Sequence, residues 1–248
     1  MIERQVQIPT SDGDMTTFVC HPERNGPHPL VIFFMDAPGI REELRDMVRR
    51  LASVGYYVML PNLYYRSGVL ELGPDAMIKD AMGRSRITPL VATLSIDLIM
   101  ADSEALLSFA TADVAAIANP LGVLGYCMSA QFAINLAARY PEQVTAAASI
   151  YGTWLMTDKE DSPHLAARKA TAQMYFACAE EDPWMSLDDV ECLRRDLAAH
   201  GVKAEVELYA QTEHGFAFPS RPAFDLAAAE RHWKRIFALL QRALPQHR

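Results

Sequence analysis

The 248-residue sequence lacks several features that would send a reading elsewhere. No apolar run approaches the about 18 residues that a membrane-spanning helix needs. The opening stretch MIERQVQIPT has no basic segment followed by an apolar one, so no secretory leader is expected. Four cysteines (Cys20, Cys127, Cys178 and Cys192) form no C-x-x-C pair and show no Cys/His ligand spacing. Neither a metal nor a cofactor is therefore expected, and free thiols suit a reducing, cytoplasmic setting. Clustered positive charge is missing too. The net charge is −8, and the densest basic run (Arg41, Arg45, Arg49, Arg50) is interleaved with Glu42, Glu43 and Asp46 as on a solvated helix face. Nucleic acid and membrane are thus excluded as expected partners. No repeat, low-complexity tract or linker interrupts residues 1–248, which predicts one domain, a monomer or weak homo-oligomer.

What is present alternates. Residues 2–8 and 14–20 read as a hairpin around SDGD at a sheet edge. PLVIFFMD, residues 29–36, is a continuous apolar run of the kind buried on both faces of a parallel sheet. A helix face from Arg41 (Leu44, Met47, Val48, Leu51) is closed by Gly55. YYVML then reads as a strand that Pro61 stops. Residues 64–90 are irregular and long enough for a cap or active-site loop. A helix is predicted at about 91–111, then strand 121–126, helix 127–140, strands 144–151 and 172–178, helix 186–199, strand 203–209 and a final helix at about 223–243. In that helix Leu226, Ala229, Trp233, Ile236, Phe237 and Leu240 share a stripe. This order predicts an α/β fold, a mostly parallel sheet with helices on both faces. Its functional residues should lie beyond the carboxyl ends of the strands.

Cys127 sits at the join of strand and helix in LGVLGYCMSAQFA, with Gly125 two residues before it and Ser129 two after. A nucleophile on a tight strand-to-helix turn has crowded neighbours at those positions, so only small residues fit. The helix N-terminus it would face favours a thiolate. A buried structural cysteine is the competing reading of the spacing alone. Partners in the right chain order add to the case. Of His164, His200, His214, His232 and His247, only His214 follows the carboxyl end of a late strand. For the acid, Glu180, Glu181 and Asp182 end a strand together; Asp182 is favoured because Pro183 fixes the turn after it, with Glu181 as the alternative. An oxyanion hole needs two N–H donors. Met128 follows the nucleophile, and Ala37 lies in the loop after strand 29–36, where Pro38 has no N–H to offer.

With these residues assembled, the chain from about Pro29 to Leu244 resembles the dienelactone hydrolase family of the α/β-hydrolase fold. MDAPGIRE, PNLYYR, GYCMSA, AEEDPW and HGFAF carry the resemblance, together with the Ala-rich terminal helix containing Trp233. It implies that Cys127 is the nucleophile, Asp182 and His214 its partners, and Ala37 and Met128 the oxyanion donors. Asp36 falls where the family usually has a glutamate that gates the resting thiol, one carbon longer. The family's Gly-Gly after the elbow is Ser129-Ala130 here. Members that act on dienelactone carry an arginine four residues after the histidine; this chain has Phe218, with Arg221 nearby and Arg84 or Arg86 in the loop.

The expected activity is cleavage of a small-molecule lactone or activated ester through an acyl-thioester. A thioesterase with the same triad and a non-catalytic binding module on the same scaffold stand as alternatives. Candidate pocket residues are Tyr64, Tyr65, Arg66, Trp154, Trp184, Phe216 and Phe218, for which core and loop packing is the competing role.

Overall fold

The computed structural model describes residues 1–73 and 85–245. Its centre is one eight-stranded sheet in the order β1-β2-β4-β3-β5-β6-β7-β8. The hairpin of β1 (Ile2–Thr10) and β2 (Gly13–His21) is antiparallel and places β1 at the edge, as its alternating pattern predicts. β2 pairs antiparallel with β4 (Tyr57–Pro61), and every later pairing is parallel. β3 (His28–Phe34) is buried at all seven positions, which is why its sequence shows no alternation.

Helix α1 (Glu42–Ser53) buries Leu44, Met47, Val48, Leu51 and Ala52 and is closed by Gly55 at φ +108°. One long helix from about residue 91 was expected; the chain instead forms a short α2 (Ile87–Val91) and then α3 (Ile96–Ala112). Ser95 separates them by accepting the Leu98 N–H at 3.2 Å, an N-cap that starts a new helix. β5 (Ala116–Tyr126) leads through a 3-10 turn at Cys127–Ser129 into α4 (Ala130–Arg139). β6 (Val144–Ile150), α5 (Pro163–Ala167), β7 (Gln173–Glu181), α6 (Leu187–Ala199), β8 (Ala204–Glu213) and α7 (Leu226–Ala243) follow.

Helices cover both faces. Gly122 on β5 leaves room for Leu240 of α7, whose methyl carbon is 2.8 Å from where a Cβ would stand. Gly125, three residues on and so on the opposite face, leaves room for the start of α4. The chain steps from β3 to β4 on one side and returns to β5 on the other. In open parallel sheets such a reversal marks where a binding crevice forms, here beyond the carboxyl ends of β3 and β5. The loop expected at 64–90 opens with a 3-10 turn at Tyr65–Ser67; its residues 74–84, Arg84 among them, lie outside the described residues. Among the described residues, no helix is long and apolar enough to cross a membrane.

Candidate active site

Cys127 stands at the end of β5 with φ +55°, a left-handed conformation that a side chain-bearing residue adopts only when its surroundings impose it. The neighbours show what imposes it. A Cβ on Gly125 would lie 2.7 Å from the Ala130 Cα and closer still to the Ser129 carbonyl oxygen, both backbone atoms that cannot yield. Gly152, just beyond β6, is closed in the same way by the Ala130 Cβ at 2.6 Å. Ser129 is more than a small residue. Its hydroxyl accepts the Tyr126 N–H at 3.1 Å and lies 3.1 Å from the Phe34 carbonyl, tying the turn to the end of β3. The Cys127 carbonyl accepts N–H groups from Ala130 and, at 3.1 Å, from Thr153.

The candidate partners come from the next strand ends. β7 and β8 run further than their apolar stretches suggest, and Glu181 still pairs with Glu213 past a bulge. Asp182 and His214 therefore leave adjacent strands side by side, with the His214 N–H on the Glu181 carbonyl at 3.1 Å. His214 Nδ1 lies 2.8 Å from Asp182 Oδ2, while Asp182 Oδ1 accepts the Trp184 N–H at 3.0 Å. Glu180 turns instead to the Gln211 N–H, and Glu181 is exposed. Cys127 lies close enough to His214 to act on its charge. Burial disfavours charge on its imidazole, but the bond to Asp182, its charge and the neighbouring Cys127 outweigh burial and raise its pKa to about 9. The Tyr151 and Trp184 rings, steeply inclined to the imidazole with centroids 5.0 and 4.6 Å from its own, hold it in place.

The other sequence candidates divide. Ala37 lies in the turn after β3, where the Gly39 N–H bonds the Asp36 carbonyl at 2.9 Å. Met128 is buried at the head of the 3-10 turn. Asp36 is fully buried, and its carboxylate is taken by arginines: Arg41 at 2.6 and 3.2 Å and Arg221 at 2.7 Å. Tyr64, Phe216 and Phe218 are buried, which favours packing over pocket lining, the two roles their places in the sequence allow. The Phe218 ring lies under the Arg41 guanidinium at 4.8 Å and against Tyr126 and Tyr151. Arg66 is committed to Asp102 and Asp12, and Tyr65 to Asp102, so this pair anchors the chain after β4 to α3 and the hairpin. Trp154 and Trp184 alone of the pocket candidates keep broad exposure, 41% and 50%. Among the described residues, no group of three or more His, Cys, Asp or Glu is placed to hold a metal.

Tyr151 escaped the sequence reading. It follows β6 directly with φ +35°, packs on His214, Phe216 and Phe218, and has a buried hydroxyl without a hydrogen-bond partner among the described residues. The signal was its place, one residue past a strand that neighbours the strand bearing Cys127.

Comparison with known proteins agrees with this architecture. A protein of Escherichia coli (strain K12), provisionally named a carboxymethylenebutenolidase, is 29% identical over 233 residues, 92% of this chain and 83% of its own. A Bradyrhizobium protein named as a probable 2-oxo-3-(5-oxofuran-2-ylidene)propanoate lactonase is 24% identical over 95% of this chain and 92% of its own. Among solved structures, a provisionally named dienelactone hydrolase from Klebsiella pneumoniae superposes with a TM-score of 0.84 at 26% identity, covering 97% of this chain and 98% of its own. Residues 15–244 match the model of the dienelactone hydrolase family, and the chain belongs to that hydrolase family.

Proposed function

We propose that the protein cleaves lactones or activated carboxylic esters with Cys127 as nucleophile, His214 as acid and base, and Asp182 as the residue that orients His214. One observation carries the reading: Cys127 is forced into a left-handed conformation at a strand end, beside a histidine that Asp182 holds at 2.8 Å. A structural cysteine needs neither the strain nor the histidine.

The raised pKa of His214 favours an imidazolium at neutral pH, and the attacking form of Cys127 is the thiolate. The sulfur attacks the carbonyl carbon, the carbonyl π electrons move to oxygen, and the Ala37 and Met128 amides receive the oxyanion. On collapse the carbon–oxygen bond to the leaving group breaks and His214 passes its proton to that oxygen. The acyl-thioester that remains has lost the anionic sulfur, one of the causes of the raised His214 pKa. The imidazole is then free to take a proton from water, which attacks the thioester and releases the acid and the thiolate. Thiolate is a good leaving group, so enol lactones and aryl esters suit the site better than amides. The lactonase name of the Bradyrhizobium relative supports a lactone. The four unpaired thiols suit the cytoplasm.

The test is hydrolysis of p-nitrophenyl esters, muconolactone-type lactones and acyl-thioesters by the unaltered protein and by Cys127→Ala. At least a 10³-fold loss in kcat/KM is expected in the variant. Mass spectrometry of His214→Asn mixed with a p-nitrophenyl ester should find the acyl group on Cys127. Undiminished turnover by Cys127→Ala would end this reading.

A further inference from the structure

We infer that Tyr64, beyond any role in packing, is a positioning residue that holds the two oxyanion donors in register, an inference that rests on the nucleophile reading above. A trans peptide is planar, with its N–H pointing opposite to its C=O. The direction of each candidate donor is therefore set by what binds the carbonyl of the same peptide. The Ala37 N–H shares a peptide with the Asp36 carbonyl, which the Gly39 N–H holds at 2.9 Å in a turn that Gly39 completes at φ +79°. The Met128 N–H shares a peptide with the Cys127 carbonyl, which Ala130 and Thr153 hold. Each donor is thus aimed by its own loop. The two loops belong to different strands, β3 and β5, and their mutual placement needs something that touches both.

Tyr64 does. Its hydroxyl donates to the Ala37 carbonyl at 2.7 Å and lies 3.7 Å from Met128 Sδ. The bond to the Ala37 carbonyl fixes the peptide on the far side of Ala37, so both peptides that flank this residue are held. The strut is itself anchored. The Tyr64 N–H bonds Asn62 Oδ1 at 3.0 Å, and the Asn62 amide donates to the Val69 carbonyl at 2.7 Å. The ring is buried against Gly39, where a Cβ would stand 3.4 Å from it. A donor displaced by a fraction of an ångström still tolerates a neutral carbonyl but serves an oxyanion poorly. The effect of the hydroxyl should therefore fall on kcat rather than on KM.

Tyr64→Phe removes the oxygen and keeps the ring. The probe is an aryl trifluoromethyl ketone, to whose carbonyl carbon the Cys127 sulfur adds while the electron pair moves to oxygen, leaving an oxyanion adduct. The corresponding trifluoromethyl carbinol occupies the same space without forming an oxyanion. In Tyr64→Phe, ketone affinity and kcat are expected to fall about tenfold, with KM, carbinol affinity and the iodoacetamide rate at Cys127 within about twofold. Equal losses for ketone and carbinol would mean a merely structural role and overturn the inference, as would no loss at all. Failure of the unaltered protein to form the ketone adduct would overturn the nucleophile reading and this inference with it. If Tyr64→Phe does not fold, Met128→Leu decides, since it removes the sulfur and keeps the amide. A drop in ketone affinity alone is expected, and an unchanged value overturns.

Discussion

At the residue scale the site is a set of steric and polar demands that the sequence states unequally. Gly-x-Cys-x-Ser declares a crowded turn, because no residue larger than glycine fits at 125 where backbone atoms stand within 2.8 Å of a Cβ. Gly152 meets the same demand from another strand, and nothing local in its sequence shows that Ala130 is its neighbour. Burial is just as hidden: Tyr64 and Phe218 read equally well as pocket or core residues until the arginines and tyrosines around them are known. Tyr151 is the sharpest case, a buried hydroxyl without a partner among the described residues, near Asp36, Cys127 and Arg221. Leaving a buried donor unmet costs stability, and replacing it with an apolar group of the same shape recovers that cost. Tyr151→Phe is therefore expected to raise stability by about 1 kcal/mol in urea denaturation. A decrease of similar size would show that the hydroxyl has a partner in solution.

At the element scale, periodicity located almost every strand and helix but misplaced the ends that matter. The strand patterns of β7 and β8 fade at Cys178 and Tyr209, yet pairing continues to Glu181 and Glu213, because backbone hydrogen bonds do not require apolar side chains. Those extra residues bring Asp182 beside His214. The predicted stripe of α7 was nearly right, but Asp225 caps the helix through the Ala228 N–H at 2.7 Å, and Leu226 is left exposed. α7 is further tied to β8 by Glu207, which binds Arg231 and Arg235 and accepts the Tyr175 hydroxyl at 2.5 Å. Burial opposes ionisation of Glu207, but these bonds outweigh it and lower its pKa to about 2 from 4.5. A depressed carboxylate contributes stability that is present above pH 4.5 and lost as pH falls toward 2. Glu207→Gln should cost about 2 kcal/mol at pH 7 and flatten the acid limb of the stability curve. An acid limb identical to that of the unaltered protein would remove Glu207 from the account.

At the scale of the whole molecule, the sheet order brings together residues far apart in the chain: Cys127, Asp182 and His214 follow β5, β7 and β8, and Tyr151 follows the β6 between them. The site therefore exists only while the sheet does, and thiol chemistry can report on it. Cys20 and Cys178 are buried, and burial pushes their pKa values up to about 11 and about 12. Cys192 is half-buried beside Arg195. In the folded protein iodoacetamide should thus modify Cys127 first, and in 8 M urea, with every environment erased, all four thiols should react alike. Asp182→Asn then tests the pair that His214 forms. A histidine pKa raised from 6.5 to about 9 on folding contributes stability that is fully present below pH 6.5 and lost as pH rises through 9. Asp182→Asn removes the carboxylate whose hydrogen bond and charge help raise it. Between pH 6.5 and 9 the unfolding midpoint of the unaltered protein should therefore fall more steeply than that of the variant. The other groups, the Cys127 thiol among them, are present in both samples and cancel in the comparison. Parallel curves would mean that Asp182 contributes no charge to His214, and its part in the triad would have to be abandoned even with the 2.8 Å contact intact.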